Sequence, residues 1–304
     1  MPKRVAITGA SGFIGSALST HLRGRGDEVL HLVRRPAGSQ RNPREVSWDP
    51  AAGTLDPADL AGVDALVHLA GAGVADHRWT PSYKQQIFAS RVDGTTTVAS
   101  ALAQLGDPRA ALVVASGIDV YGADRGEEPL TEQSEPGEGF LADVVRAWEA
   151  AAGPARAAGL RVAHARTGLV LGPGGGSLAR MLPLARLGLG GPLGSGRQWW
   201  SWITLQDTVR AYAHLVDHSG VAGPVNLVSP APARQRDLAK ALGAALHRPA
   251  VLPAPAAALR LYLGEFASAV LGSKNISPTV LTGSGFAWEH PDLQTAVRWV
   301  VDQG

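Results

Sequence analysis

The chain has 304 residues, enough for a full nucleotide-binding domain and a smaller lobe. Its 45% hydrophobic and 18% charged content suits a globular enzyme, and a net charge of +2 without a long Lys/Arg block argues against a nucleic-acid partner. With no cysteine in the chain, disulfides, thiolate catalysis and cysteine–metal sites are excluded.

The first element is an apolar strand, Arg4–Thr8, read within VAITGASGFIGSAL. Gly9, Gly12 and Gly15 follow, then a helix over Ser16–Arg25 capped by Gly26. A strand, a glycine turn and a helix start in that order form the pyrophosphate site of dinucleotides. Gly9 allows the tight turn, Gly12 lets the backbone come close to phosphate, and Gly15 lets the helix pack. No leader precedes this strand, and no apolar run reaches about 18 residues, so the reading is a cytoplasmic protein with no membrane span.

The second strand, Glu28–Val33, ends in Arg34 and Arg35. An NAD site usually places Asp or Glu near this point to bond the ribose hydroxyls. Arginine there pairs instead with a 2′-phosphate, so NADP(H) is the expected cofactor. The alternative is that the two arginines are a solvated strand end.

Further strands are expected at Asp64–Leu69, Ala110–Ser116, Arg161–Arg166 and Val225–Val228. Helices are expected at Tyr83–Leu105, Leu141–Ala158 and Asp207–Asp217, the last with Asp207 as N-cap. Alternating strands and helices predict an α/β fold with a doubly wound parallel sheet of Rossmann type. Residues 1–171, completed by 203–229, would form the NADP(H)-binding domain. Residues 172–202 and 230–304 would form a small, discontinuous lobe closing over the nicotinamide end. The glycine clusters at 172–176 and 188–196 lack the helix start of the first motif and read as loops near the pocket. The histidines form no H-x-x-x-H helix motif with a carboxylate partner, so no catalytic metal is expected.

The G-x-x-G-x-x-G spacing and the run VVASGIDVYG resemble extended short-chain dehydrogenases/reductases. Those enzymes carry a Tyr-x-x-x-Lys pair on the next helix, the tyrosine transferring the proton at the substrate carbonyl or hydroxyl. Here Tyr83, Tyr121, Tyr212 and Tyr262 are followed four residues on by Ile87, Arg125, Val216 and Phe266. Aligning Glu149 with the usual glutamate puts Leu141 and Val145 in the two slots. Ser116 and Tyr121 are the remaining polar candidates for catalysis, the alternative being local backbone bonding and packing.

The runs LVHLAGAGV, RWTPSYKQQIFASRVDGT, FLADVVRAWEAAA, ARTGLVLGPGGGSLARML and LGLGGPLGSGRQWWSWI together resemble one group. It is the atypical extended short-chain dehydrogenase/reductase group labelled an NAD(P)-dependent epimerase family, SulA-like. The tail LHRPAVLPAPAAALRLYLGEFA…GFAWEHPDL resembles that group's own C-terminal domain of unknown function. The resemblance implies an NADP(H) site with Gly9, Ser11, Gly12, Phe13, Ile14 and Gly15 at the pyrophosphate. It places Val33 and Arg34 at the adenosine-phosphate end and Leu69, Ala70 and Gly71 beside the ribose. Gln86 and Arg91 would face the cofactor from their helix. Ser116, Arg166, Thr167, Gly168 and Val170 would lie toward the nicotinamide.

The family label supplies no reaction. Sugar-nucleotide epimerases carry an arginine where this chain has Trp200. The cluster Trp199, Trp200 and Trp202 suits a partly apolar small-molecule substrate or, equally, a core between lobes. An NADPH-dependent oxidoreductase is the leading reading. A non-catalytic NADP(H) sensor and a nucleotide-sugar epimerase or dehydratase are the alternatives. Helices Tyr83–Leu105 and Leu141–Ala158 could pair two copies into a homodimer, or simply cover the sheet.

Overall fold

A computed structural model describes residues 2–34 and 44–304. Arg35 lies outside the described residues. Among those described, seven strands form one parallel sheet: β1 (Arg4–Thr8), β2 (Glu28–Val33), β3 (Glu45–Ser47), β4 (Ala65–His68), β5 (Ala111–Gly117), β6 (Arg161–Thr167) and β7 (Gly223–Leu227). Their order is β7-β6-β5-β4-β1-β2-β3. The expected six strands are all present, two with the expected bounds and four with an end shifted by one or two residues. The short edge strand β3 adds a seventh that its three residues gave no pattern to reveal.

β1 lies between β2 and β4, and Val5, Ala6 and Ile7 are completely buried. Both faces are covered, which is why the strand reads as an unbroken apolar run. Val5 and Ile7 pack with Leu18 and Leu22 of α1 (Phe13–Gly24) and with Tyr212 and Leu215 of the helix Leu205–Asp217. Ala6 points the other way, toward Val98 and Leu102 of α2 (Pro81–Leu105) and Trp148 of α3 (Phe140–Ala150). This alternation along one strand is the two-residue period of a pleated sheet.

The expected helix Leu141–Ala158 is two helices. α3 stops at Ala150, and α4 (Gly153–Ala157) restarts with Pro154 in its first turn. Proline has no N–H to give and clashes with the preceding turn, so it fits a helix start and not an interior. The glycine cluster at 172–176 does lead into a helix, contrary to expectation: α5 (Leu178–Arg186) follows Ser177. α6 (Leu205–Asp217) is capped by Thr204, not Asp207. Asp207 sits in the first turn, and its backbone N–H donates to the Thr204 hydroxyl.

A third apolar cluster joins Leu171, Leu178 and Leu182 with Trp202, Leu238 and Leu242. It also holds Val297 and Val300 of the C-terminal helix, Leu293–Gln303. Leu281 and Phe286, however, pack into the cluster of β1, so the C-terminal stretch is shared between two cores. Among the described residues no helix is long and apolar enough to cross a membrane.

Candidate cofactor and active site

The strand order reverses between β1 and β4. The crevice at the carboxyl ends of these strands is where open α/β sheets bind ligands. Gly9 there has φ +67, and a Cβ on it would sit 2.9 Å from the Ala70 nitrogen. A Cβ on Gly15 would sit 2.1 Å from the Gly9 oxygen. Gly15 therefore packs against its own turn, closer in than the sheet contact its spacing suggested. Gly12 is the helix cap and makes no side-chain cap bond, and the first turn of α1 holds no acidic residue. Its unpaired N–H groups and partial positive charge thus face the crevice with no competing carboxylate. Ser11 and Gly12 are exposed, and Phe13 and Ile14 are half-buried.

A buried pair fixes the turn from below. The Thr8 hydroxyl accepts from the Leu69 and Ala70 N–H groups at 3.0 and 3.2 Å and lies 2.7 Å from His68 Nδ1. Thr8 thus donates to His68 Nδ1, which leaves the proton on Nε2. Burial drives the His68 pKa down to about 3, so the ring is neutral at any physiological pH. Gly94 of α2 is the space that admits this imidazole, since a Cβ there would lie 3.0 Å from His68 Cε1. His68 went unused in the sequence reading, and a lone histidine in an apolar strand gave no signal of its role.

Arg91 reaches from α2 over the strand ends. Its guanidinium donates to the Ala72 and Ile87 carbonyls at 2.9 and 3.1 Å and lies against Gly71 and over the Trp148 ring. Among the described residues it forms no ion pair with a carboxylate. Burial lowers its pKa to about 10, which leaves it charged at neutral pH. Gln86, one turn earlier, is exposed. Val33 is half-buried, and Arg34 is exposed at the end of β2 with no side-chain partner among the described residues.

The two catalytic candidates are spoken for. The Ser116 hydroxyl donates to Glu149 at 2.6 Å. Arg166 grips the same carboxylate through both oxygens at 2.8 and 2.9 Å, and its third nitrogen donates to the Tyr121 hydroxyl at 3.1 Å. Tyr121 is completely buried and donates in turn to Asn226 at 2.8 Å. Burial raises its pKa further. Tyr121 and Arg166 thus spend their side-chain hydrogen bonds within this ladder. Burial alone would raise the Glu149 pKa, but Arg166 and Ser116 outweigh it and hold the group ionised. Val145, in the lysine slot, lies in the space beside Gly117 at the end of β5.

Thr167 turns its hydroxyl to the Ala165 carbonyl. Gly168 lets β6 pass close to the next strand, since a Cβ there would lie 2.6 Å from the Ser201 oxygen. Val170 pairs with Ile203 and packs on the first core. The tryptophans are mostly structural. Trp202 is 1% exposed, its indole bonded to the Ala231 carbonyl. Trp200 bonds the Val270 carbonyl, and Trp199 bonds Glu127 beneath the Arg234 guanidinium.

The C-terminal segment roofs the crevice. Arg78, on the loop after β4, donates to the Leu261 and Tyr262 carbonyls of α7 (Ala256–Leu263). Lys84 pairs with Glu265, and Trp79 packs on both Phe140 and Phe266. Arg180 of α5 donates to the Ala75 carbonyl. The second glycine loop closes on Phe13, whose ring would clash with a Cβ on Gly172 or Gly175 at 2.8 and 2.3 Å.

Residues 5–227 match the NAD dependent epimerase/dehydratase family, and residues 254–300 match a domain of unknown function, DUF1731. Epimerase family protein Mb2239 of Mycobacterium bovis is 42% identical over 298 residues, covering 97% of this chain and 96% of that one. Human epimerase family protein SDR39U1 is 34% identical over 304 residues, covering 98% and 99%. A crystal structure of human SDR39U1 (isoform 2) with NADPH matches at a TM-score of 0.88 and 32% identity, covering 99% of this chain and 100% of that one. The chain belongs to the NAD dependent epimerase/dehydratase family and carries the DUF1731 domain toward its C-terminus.

Proposed function

We propose that the chain is an NADP(H)-dependent oxidoreductase acting on a small, partly apolar carbonyl compound. The observation that carries this reading is the convergence at one switch point of the uncapped α1 N-terminus and of Arg91, which has no carboxylate partner among the described residues. The N–H groups of α1 hold the pyrophosphate. Arg34 pairs with the 2′-phosphate, Gly71 gives the ribose room, and Arg91 answers the cofactor's negative charge. Bound there, NADPH supplies a hydride. Trp79, Phe140 and Phe266 keep water from the cleft mouth and present apolar surface to the substrate. Ser116, Glu149, Arg166 and Tyr121 are positioning residues that lock β5, β6 and α3 together beneath the reacting centre.

A second reading is an NADP(H)-binding sensor without turnover. The commitment of Ser116 and Tyr121 to the buried ladder favours it. The purified protein, stripped of nucleotide, is titrated calorimetrically with NADPH and, separately, NADH, and then assayed for NADPH oxidation against aldehydes, ketones, enones and quinones. The oxidoreductase reading expects tight NADPH binding and turnover with at least one class. Tight binding with no turnover across the set leaves the sensor, and binding of neither NADPH nor NADH overturns both.

A further inference from the structure

The cleft still lacks a group able to give a proton to the substrate. Tyr121 and Ser116 are committed, the Tyr83 hydroxyl donates to the Gly73 carbonyl, and His68 is sealed beneath the turn. One ion pair remains at the strand ends. Lys274 Nζ donates to Asp119 Oδ1 at 2.7 Å. Asp119 lies just past the end of β5, its Oδ2 3.9 Å from where a Cβ on Gly117 would stand. It is close enough for its charge to act on Arg91, across the crevice beside Gly71. The Lys274 side chain is 8% exposed and that of Asp119 31%.

Lys274 comes from the C-terminal domain, far from β5 in sequence. Its backbone is pinned on both sides: its N–H donates to the Trp199 carbonyl and its carbonyl accepts from the Ser201 hydroxyl. An ammonium has three N–H donors. Among the described residues only one has a partner, although the side chain is almost fully buried, and Asp119 Oδ2 likewise accepts no hydrogen bond.

We propose that Lys274 is the proton donor of the reaction and that Asp119 positions its ammonium beside the nicotinamide, in place of the missing Tyr-x-x-x-Lys pair. This rests on the oxidoreductase reading. In the reduction, the carbonyl carbon gains a C–H bond from the hydride of NADPH, which is oxidised to NADP⁺. The C=O π pair moves onto oxygen, an O–H bond forms as a Lys274 N–H bond breaks, and the neutral amine recovers a proton from water. The pair also sets the substrate class. A carbonyl oxygen meets the ammonium, and a neighbouring hydroxyl meets Asp119, whereas a carboxylate beside the carbonyl is repelled by it.

The test uses Asp119→Asn, Lys274→Met and Lys274→Arg in the full chain. NADP⁺ carries a positive ring that NADPH lacks, so a carboxylate near the ring favours NADP⁺. Asp119→Asn is expected to weaken NADP⁺ relative to NADPH by about threefold or more. Lys274→Met, which unmasks Asp119, is expected to move that ratio the opposite way. Lys274→Arg keeps the pair, the ratio and Tm, but a guanidinium does not release its proton, so turnover should fall by about 100-fold or more. If the variants lower Tm alike and leave the ratio unmoved, the pair is only a latch and the proposal is overturned. Full turnover in Lys274→Arg overturns it as well. If the variants shift the ratio as expected but the wild-type protein reduces no substrate, the oxidoreductase reading itself falls, and the proton donor with it.

Discussion

On the proposed reading, Arg34 is the residue on which cofactor choice turns. It stands exposed at the end of β2 with no partner among the described residues, where the adenosine ribose of a bound cofactor would lie. A hydrogen bond to a charged phosphate contributes about 1.5–3 kcal/mol. Arg34→Ala should therefore weaken NADPH by about 10- to 100-fold and leave NADH nearly untouched. Calorimetric titration of wild type and variant with both nucleotides measures this directly. An equal loss for both would place Arg34 away from the 2′-phosphate, and no loss for either would make it solvated surface. The neighbouring Arg91 separates from Arg34 by its reach. On the proposed reading it serves phosphate common to both cofactors, so its replacement should lower both affinities together.

At the level of elements, α6 shows how a cap can do more than start a helix. Asp207 is completely buried, yet accepts from the Thr204 hydroxyl, from Arg210 and from the N–H groups of Glu289 and His290. It thus clips the C-terminal stretch to the Rossmann core. Asp207→Ala would strand those donors and should cost about 2–4 kcal/mol. Urea unfolding would show the loss, and hydrogen exchange should quicken first around residues 286–290. A loss below about 0.5 kcal/mol, the size of an ordinary surface change, would mean the clip carries no weight. The sequence made α6 legible by its apolar period, but not this clip. Its acceptor and donors are some 80 residues apart, and an Asp near a helix start looks the same whether it caps locally or reaches across. The same division runs through the site. The Gly9–Gly15 turn was readable because its parts are adjacent and each glycine answers a local backbone need. The Ser116–Glu149–Arg166–Tyr121 ladder and the Asp119–Lys274 pair were not, because side chains on separate elements form them. The helix break at Gly153–Pro154 was visible in the residues, but the apolar stripe running through it outweighed the proline.

For the whole molecule, buried histidines set the acid limit. Burial lowers His68 to about 3 and His164 to about 4. His164 is 3% exposed, and its Nε2 accepts from Arg156 at 3.1 Å, a bond that a protonated ring would lose. In the unfolded chain both titrate near the ordinary value of about 6.5. Below that pH the unfolded state binds protons the folded state refuses, so acid favours unfolding. The stabilisation from each neutral ring is fully present above about pH 6.5 and shrinks by about 1.4 kcal/mol per pH unit below it. The loss runs on until the folded ring itself protonates, near pH 4 for His164 and lower for His68. Below the usual carboxylate range Glu149 adds to the fall, since its folded pKa is depressed. Urea-derived stability measured between pH 6 and 4.5 should therefore fall as pH falls. His164→Gln keeps an acceptor for Arg156 but cannot titrate, so its slope should be shallower than wild type by about 1.4 kcal/mol per pH unit. Identical slopes would mean that His164 protonates in the folded state with little cost, and the acid limit would then lie with His68 and the carboxylates.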